Sequence, residues 1–164
     1  MNRKYVLLVV LTIFFLIGVM SANPGTPHKT LQVKLNYTGL SAVDEKHKIF
    51  VLLFDANPYL ASTLIDSTSA TKPPVPTAGV SHILWRLSAA SKSTTITFSD
   101  VRLSLVFAAA FVDKTGTYDG HSDPISGAPV GVYGKAPDNV TPITLEEGKT
   151  VDIVIAFDDS AKTP

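Results

Sequence analysis

The sequence contains no cysteine. This absence excludes disulfide bonds, catalysis by a thiol and metal sites with cysteine ligands. An excess of one charge sign is missing as well, because 14 Lys and Arg residues balance 14 Asp and Glu residues. A chain with zero formal net charge and no basic or acidic block gives no reason to expect a nucleic-acid partner.

Motifs of the common catalytic sites are also absent. No serine lies in a Gly-x-Ser-x-Gly sequence, and no phosphate-binding or dinucleotide-binding glycine motif occurs. The four histidines are too scattered to form a His-x-His or His-x-x-x-His pair, which a zinc site would need as a start. We therefore expect no enzymatic activity. A hydrolase with a carboxylate and histidine site that lacks a sequence motif stays open as an alternative.

A long apolar run stands at the N-terminus. Asn2–Lys4 is basic, Tyr5–Met20 is almost entirely apolar, and the small residues Ser21 and Ala22 follow. This order is typical of a secretory signal peptide at 1–22, cleaved near Ala22, and it predicts a secreted or periplasmic protein. The run is also close to the length of a membrane anchor, so its retention stays open. Membrane contact is expected only through this segment.

The remaining residues are enough for one domain with a sizeable core. Residues 23–30 contain proline and glycine and are expected to form a linker. A single β-domain is predicted for 31–159, and a flexible tail for 160–164. Since no cysteine is available for cross-linking, this domain must rely on its hydrophobic core.

Alternation of apolar and polar residues predicts β-strands along this domain. It is clearest in Leu31–Tyr37 and Thr150–Phe157. The apolar segment Arg102–Val112 is predicted to be a strand buried on both faces, although its three successive alanines would also suit a helix. Further strands are predicted at Ile49–Phe54, His82–Leu87, Thr94–Phe98 and, as a short one, Thr141–Leu145.

Two other segments are rich in turn-forming residues. Residues 56–80 contain many Ser, Thr, Ala and Pro residues, and residues 116–139 hold several glycines and prolines. Because long unstructured loops are uncommon in compact domains, part of 56–80 is expected to pair with another strand. The whole pattern predicts an all-β protein, a single Greek-key β-sandwich of about seven strands, of the transthyretin-like or immunoglobulin-like type.

Candidate metal ligands gather after Arg102–Val112. Asp113, Asp119 and Asp123 lie in a glycine-containing loop, and their oxygens are of the type that calcium prefers. Asp55 and Asp158 also follow apolar strands and would add ligands if they emerge at the same end. The spacing differs from that of an EF-hand loop. Calcium is therefore the one cofactor considered, as an alternative to aspartates that cap turns.

Candidate ligand-binding residues occur in and after the same loop. Tyr118 and Tyr133 stand beside or near glycines, and such aromatic side chains can hold a sugar or a peptide. His121 lies among carboxylates and is either a binding residue or a solvated loop residue. The alternative for the tyrosines is that they attach the loop to the sheet.

A resemblance to known proteins rests on the order of several segments. Thr95–Phe98, the apolar strand that ends at Asp113, Gly127–Gly134 and the closing strand Val151–Phe157 occur in a familiar order. With them the sequence resembles small exported β-sandwich proteins of unknown function, distantly similar to transthyretin and to the regulatory domains of carboxypeptidases. The resemblance implies a fold and an exported location, and it transfers no catalytic residue.

These observations favour a non-enzymatic binding module. We expect an exported β-sandwich that binds an extracellular or envelope protein, a peptide or a glycan through loops at one end. The first alternative is a calcium-binding module that uses the loop from Asp113 to Asp123. The second is a hydrolase with a carboxylate and histidine site that lacks a sequence motif.

Overall fold

A computed structural model describes residues 28–60, 63–66, 80–120, 124–136 and 139–163. In these ranges the chain forms eleven β-strands and no helix, and therefore no helix that could cross a membrane. The strands are β1 (Thr30–Tyr37), β2 (Ile49–Phe54), β3 (Thr63–Asp66), β4 (Val80–Ala89), β5 (Ser93–Phe98), β6 (Leu105–Val112), β7 (Val130–Val132), β8 (Gly134–Ala136), β9 (Asn139–Val140), β10 (Ile143–Thr144) and β11 (Thr150–Phe157). The prediction of an all-β protein is confirmed. The predicted signal peptide lies outside the described residues.

The strands form two main sheets. The smaller sheet has the order β11-β1-β5, in which β11 runs parallel to β1 and β5 runs antiparallel to it. The larger sheet has the order β10-β6-β2-β4-β3, and β7 also pairs with β6. Strands β8 and β9 form a separate two-stranded ribbon.

Residues of both main sheets contribute to one hydrophobic core. Leu31, Val33 and Leu35 of β1 are fully buried there, together with Val51 and Leu53 of β2. The alternation seen in the sequence explains this, because every second side chain of a strand points to the same face. Removing these apolar side chains from water stabilises the packing of the two sheets, an arrangement consistent with a β-sandwich.

Strand β6 is buried on both faces, as its sequence predicts. Ala108 and Ala110 belong to the core that both sheets share, whereas Ala109 and Phe111 belong to a second hydrophobic cluster. Antiparallel pairing with β2 runs from Ile49 opposite Val112 to Phe54 opposite Phe107. A helix, the alternative considered for Arg102–Val112, is therefore wrong. The strand begins at Leu105, three residues later than predicted.

Several short strands lie in the segments that are rich in turn-forming residues. β3 pairs in parallel with β4, which confirms that part of 56–80 pairs elsewhere. β7 pairs with β6 from within the glycine-rich segment. These additions bring the described strands to eleven, against about seven predicted. The Greek-key connection and the transthyretin-like or immunoglobulin-like type stay predictions.

The C-terminal segment packs against the domain as far as Thr163. The N–H of Thr163 donates to the carbonyl of Ala128 at 2.9 Å, and its hydroxyl donates to the carbonyl of Ile125 at 2.6 Å. The Val130 N–H donates to Ala161. The side chain of Thr163 is buried. The tail that the sequence predicts at 160–164 is thus held by hydrogen bonds over its described residues.

Candidate functional site

The loop after β6 is organised by the carboxylate of Asp113. Its Oδ1 accepts hydrogen bonds from the N–H of Thr115 at 3.1 Å and the N–H of Gly116 at 3.0 Å, and Oδ2 accepts one from the N–H of Tyr118 at 2.9 Å. The Thr115 hydroxyl donates to Oδ1 as well, at 2.9 Å. An aspartate that captures the N–H groups of the next residues is a common turn device. Here it folds the loop back over the end of β6.

Two opposing effects act on the pKa of Asp113. Burial of the carboxyl group raises its pKa, but the hydrogen bonds donated by Tyr118, Thr115 and Gly116 together lower it below the ordinary value of 3.8. Hydrogen bonds to the charged form favour ionisation. Asp113 is therefore a buried, ionised carboxylate whose oxygens are already occupied by its own loop.

Tyr118 attaches the loop to the sheet. Its ring lies 4.8 Å from that of Phe50 and 4.9 Å from that of Phe111, and both contacts are edge-to-face. Phe50 and Phe111 stack on each other at 5.6 Å across β2 and β6. Such arrangements are preferred between aromatic rings. Tyr118 thus has the attaching role that the sequence analysis considered as the alternative.

A second aspartate-centred turn lies across from this loop, in the connection before β2. Oδ1 of Asp44 accepts hydrogen bonds from the N–H groups of His47 at 2.7 Å and of Lys46 at 2.9 Å. The bond from His47 is the main reason that the pKa of Asp44 falls to about 2. Lys48 links the two turns, because its carbonyl accepts the N–H of Asp113 at 2.9 Å. The sequence analysis named no candidate residue in this connection.

An open groove of about 490 Å³ lies between the two turns. Its lining consists of Glu45, Lys46, Lys48, Phe50, Asp113, Gly116 and Tyr118. Phe50 and Tyr118 provide apolar surface, and both are half-buried. Lys48 approaches Glu45 at 3.8 Å, whereas Lys46 forms no ion pair within the described ranges. The groove therefore combines an aromatic floor with one unpaired ammonium group.

Gly116 allows the close approach of the two walls. Its φ of +66° lies in the left-handed region, which glycine adopts at little cost. A Cβ atom at this position would meet Cγ of Lys46 at 2.5 Å and the Lys46 carbonyl oxygen at 2.9 Å. The side chain of Lys46 thus lies directly over the loop.

Tyr133 lies away from this groove. It packs against the core that the two sheets share, whereas Tyr118 packs against the cluster on the other face of the larger sheet. The Tyr133 N–H donates to the carbonyl of Ala108, near the middle of β6. The structure therefore does not bring the two tyrosines together. His121 and Asp123 lie outside the described residues, and Asp119 is exposed in the loop.

Asp55 lies far from Asp113. Asp55 directly follows the last residue of β2. The N–H of Asp113, in contrast, is hydrogen-bonded to the carbonyl of Lys48, which directly precedes the first residue of β2. Seven residues at a rise of about 3.4 Å separate these positions by about 24 Å. Asp158 follows β11 in the other sheet and lines a different cleft, of about 240 Å³. Asp55 and Asp113 therefore lie at opposite ends of β2, and the condition under which Asp55 would add a ligand to the loop is not met.

Asp55 instead pairs with His82, a contact that the sequence analysis did not identify. Oδ1 of Asp55 accepts the backbone N–H of His82 at 2.7 Å, and Oδ2 lies 2.6 Å from Nδ1 of its ring. The side chain of Asp55 is fully buried, and that of His82 is 14% exposed. The two residues lie 27 positions apart, and no local pattern indicates their contact.

Within the described ranges no group of three or more acidic or histidine side chains is placed to hold a metal ion. No protein family, curated protein or solved structure matches this chain. The candidate site is therefore defined by its own geometry alone.

Proposed function

We propose that the protein is a non-enzymatic binding module, exported from the cell, that binds its ligand in the groove between the Asp44 turn and the Asp113 loop. The observation that carries the proposal is that two preorganised turns flank one aromatic surface. Both turns are fixed by carboxylates that accept several hydrogen bonds. A preorganised surface binds with a smaller loss of conformational entropy.

The chemistry of the groove indicates the kind of ligand. Both oxygens of Asp113 accept hydrogen bonds from its own loop, and Lys48 has Glu45 as its ion-pair partner. The ammonium group of Lys46 has no ion-pair partner among the described residues and is available to a ligand, next to the rings of Phe50 and Tyr118. We expect a ligand that carries a carboxylate beside an apolar face, such as an acidic peptide segment or a glycan that contains uronic acid.

Titration followed by NMR tests this proposal. Acidic peptides that contain an aromatic residue, and short polyuronate oligosaccharides, are added separately to the ¹⁵N-labelled protein. We expect one of the two probes to shift the amide signals of Lys46, Gly116 and Tyr118. Lys46→Glu should abolish these shifts, while Lys34→Glu, on the exposed face of β1, should leave them unchanged. Absence of shifts with both probes, or binding that survives Lys46→Glu, would contradict the proposal.

The hydrolase alternative gains a specific candidate in the Asp55 and His82 pair. A carboxylate that accepts the Nδ1 proton of a histidine leaves Nε2 as a base, which is how such a pair acts in hydrolases. Ser81, the adjacent hydroxyl, donates instead to the carbonyl of Ala56 at 3.0 Å. Hydrolysis of a chromogenic ester that disappears in His82→Ala would favour this function. Equal background rates for both proteins would exclude it for that substrate.

A further inference from the structure

A second cleft, of about 240 Å³, lies between β7 and the end of β11. Val132 of β7 lines one wall, and Ala156 and Phe157 of β11 line another. The cleft shares no lining residue with the groove of the proposed function. Its volume is below the range of about 300–1,000 Å³ that is typical of pockets for drug-sized ligands, so it fits only a small molecule.

The hydrogen bonds of β7 show which way its backbone groups point. The N–H of Val112 in β6 donates to the carbonyl of Pro129 at 3.0 Å. The N–H of Tyr133 donates to the carbonyl of Ala108, also in β6, at 3.0 Å. Alternate residues of a strand direct their N–H and C=O groups to the same side. The odd-numbered residues around β7 therefore serve β6, and the even-numbered ones direct their groups away from it.

On this outer side, β7 offers backbone groups to the cleft. The N–H of Val130 donates to the carbonyl of Ala161 at 3.1 Å, which confirms the direction. Beyond this bond, no strand of the described ranges pairs with the outer side of β7. Val132 lines the cleft and is only 7% exposed. Because buried N–H and C=O groups are nearly always paired, those of Val132 are one donor and one acceptor suited to a ligand.

Two side chains of opposite charge line the same cleft. Lys135 forms no ion pair with any residue of the described ranges. Oδ1 of Asp158 accepts the N–H of Ser160 at 2.8 Å, and the hydroxyl and N–H of Ser160 lower the pKa of Asp158 below its ordinary value of 3.8. Asp159 and Lys162 lie nearby, but they pair with each other at 3.4 Å and do not line the cleft.

The two charges lie on different sides of Val132. Lys135 follows Val132 by three residues along the chain. Asp158 directly follows Phe157, whose Cβ is 2.5 Å from the position that a Cβ of Gly131 would take. Along the direction of β7, the carboxylate therefore comes before Val132 and the ammonium group comes after it.

We propose that this cleft binds a short zwitterionic peptide of about three small residues, which lies parallel to β7. Its N-terminal ammonium group pairs with Asp158, and its C-terminal carboxylate pairs with Lys135. In a parallel pair the N–H of Val132 donates to the carbonyl of the first peptide residue, and its carbonyl accepts the N–H of the third. The antiparallel orientation would instead bring like charges together at both ends.

Titration of the ¹⁵N-labelled protein with trialanine tests the proposal. A ligand with few contacts is expected to bind with a Kd of about 1 mM, so trialanine is added up to about 20 mM at neutral pH. We expect the amide signals of Gly131, Val132 and Ser160 to shift, and the hydrogen exchange of the Val132 amide to slow. Trialanine that is blocked at both ends lacks both charges and should bind about tenfold more weakly.

Two variants assign the ends of the peptide. Lys135→Gln should weaken N-acetyl-trialanine, which keeps the carboxylate, about threefold or more, and should leave trialanine amide unaffected. Asp158→Asn should weaken trialanine amide, which keeps the ammonium group, and should leave N-acetyl-trialanine unaffected. Lys34→Gln, on the exposed face of β1, is the matched control and should change neither. Circular dichroism and melting confirm that each variant is folded.

Three results would overturn the proposal. The first is the absence of shifts at the highest concentration of trialanine. The second is equal binding of the free peptide and the peptide blocked at both ends, because the charges would then play no part. The third is binding that neither Lys135→Gln nor Asp158→Asn weakens, or that each weakens for the opposite end of the peptide. The acidic probes of the groove are not used here, so failure of either proposal leaves the other standing.

Discussion

Asp113 and Tyr118 are joined by a hydrogen bond of 2.9 Å, donated by the backbone N–H of Tyr118 to Oδ2 of Asp113. The bond connects the end of β6 to the residue whose ring packs on Phe50 and Phe111. One carboxylate therefore sets both the fold of the loop and the position of its aromatic side chain.

Replacing Asp113 should destabilise the protein. Asp113→Ala leaves the N–H groups of Thr115, Gly116 and Tyr118 without their acceptor, and we expect a loss of about 2–3 kcal/mol in the free energy of unfolding. Asp113→Asn keeps one acceptor oxygen and should cost less. Urea unfolding measures both values, with the exposed Glu147→Ala as control. A loss for Asp113→Ala no larger than that of the control would contradict the role of this carboxylate.

Two glycine variants separate backbone strain from side-chain collision. Gly116 and Gly127 both have positive φ, of +66° and +77°, but only Gly116 has neighbours within 4 Å of an added Cβ. Gly127→Ala should cost about 1–2 kcal/mol through its backbone alone. Gly116→Ala should cost more, because Lys46 must move. Thermal unfolding ranks the two variants, and equal melting temperatures would show that Lys46 is not a barrier.

The dependence of stability on pH should change when Asp159 is replaced. Its pKa falls to about 2, chiefly through the N–H of Leu40 at 2.6 Å and also through the hydroxyl of Tyr37. The ordinary pKa is 3.8. On acidification the unfolded chain is therefore protonated first, and the stabilisation is lost as the pH falls from about 4 towards about 2.

We accordingly expect Asp159→Asn to be less stable than the natural chain above about pH 4 and equally stable near pH 2. Unfolding by urea across this range measures the difference. A difference that does not vary with pH would show that the charge of Asp159 contributes nothing.

Asp55 and His82 should show strong energetic coupling. His82→Leu leaves a fully buried carboxylate without its side-chain partner, and losses of about 3–5 kcal/mol are typical of such changes. The double replacement of Asp55 and His82 by leucine should cost clearly less than the sum of the single replacements. A double-mutant cycle measures this coupling, and additivity within about 0.5 kcal/mol would indicate independent residues.

Calcium should leave the melting temperature unchanged. Both oxygens of Asp113 accept hydrogen bonds from its own loop, and Asp55 and Asp158 lie elsewhere. A bound ion would stabilise the folded state by about 2.7 kcal/mol at a concentration 100 times its Kd. Melting in excess calcium and in EDTA tests this expectation. A higher melting temperature with calcium would favour the metal-binding alternative.

The strands were largely predictable from local patterns. Leu31–Tyr37 alternates apolar and polar residues, and the structure extends this strand by only one residue, to Thr30. Strand β3 was not placed, because Thr63–Asp66 lies among residues of low β-propensity and gains its pairing from β4. The turn of Asp44 also went unassigned, since an aspartate followed by polar residues occurs in many loops.

The sequence by itself determined the longer strands and the faces that they bury, because apolar and polar residues alternate every two residues along them. Only the tertiary structure decided which ends of the strands meet. Antiparallel pairing of β2 with β6 separates Asp55 from Asp113, and parallel pairing of β1 with β11 leaves β11 at the sheet edge. Pairing joins residues that are distant in sequence, and their contact depends on the hydrogen bonds and the core of the whole domain rather than on local pattern.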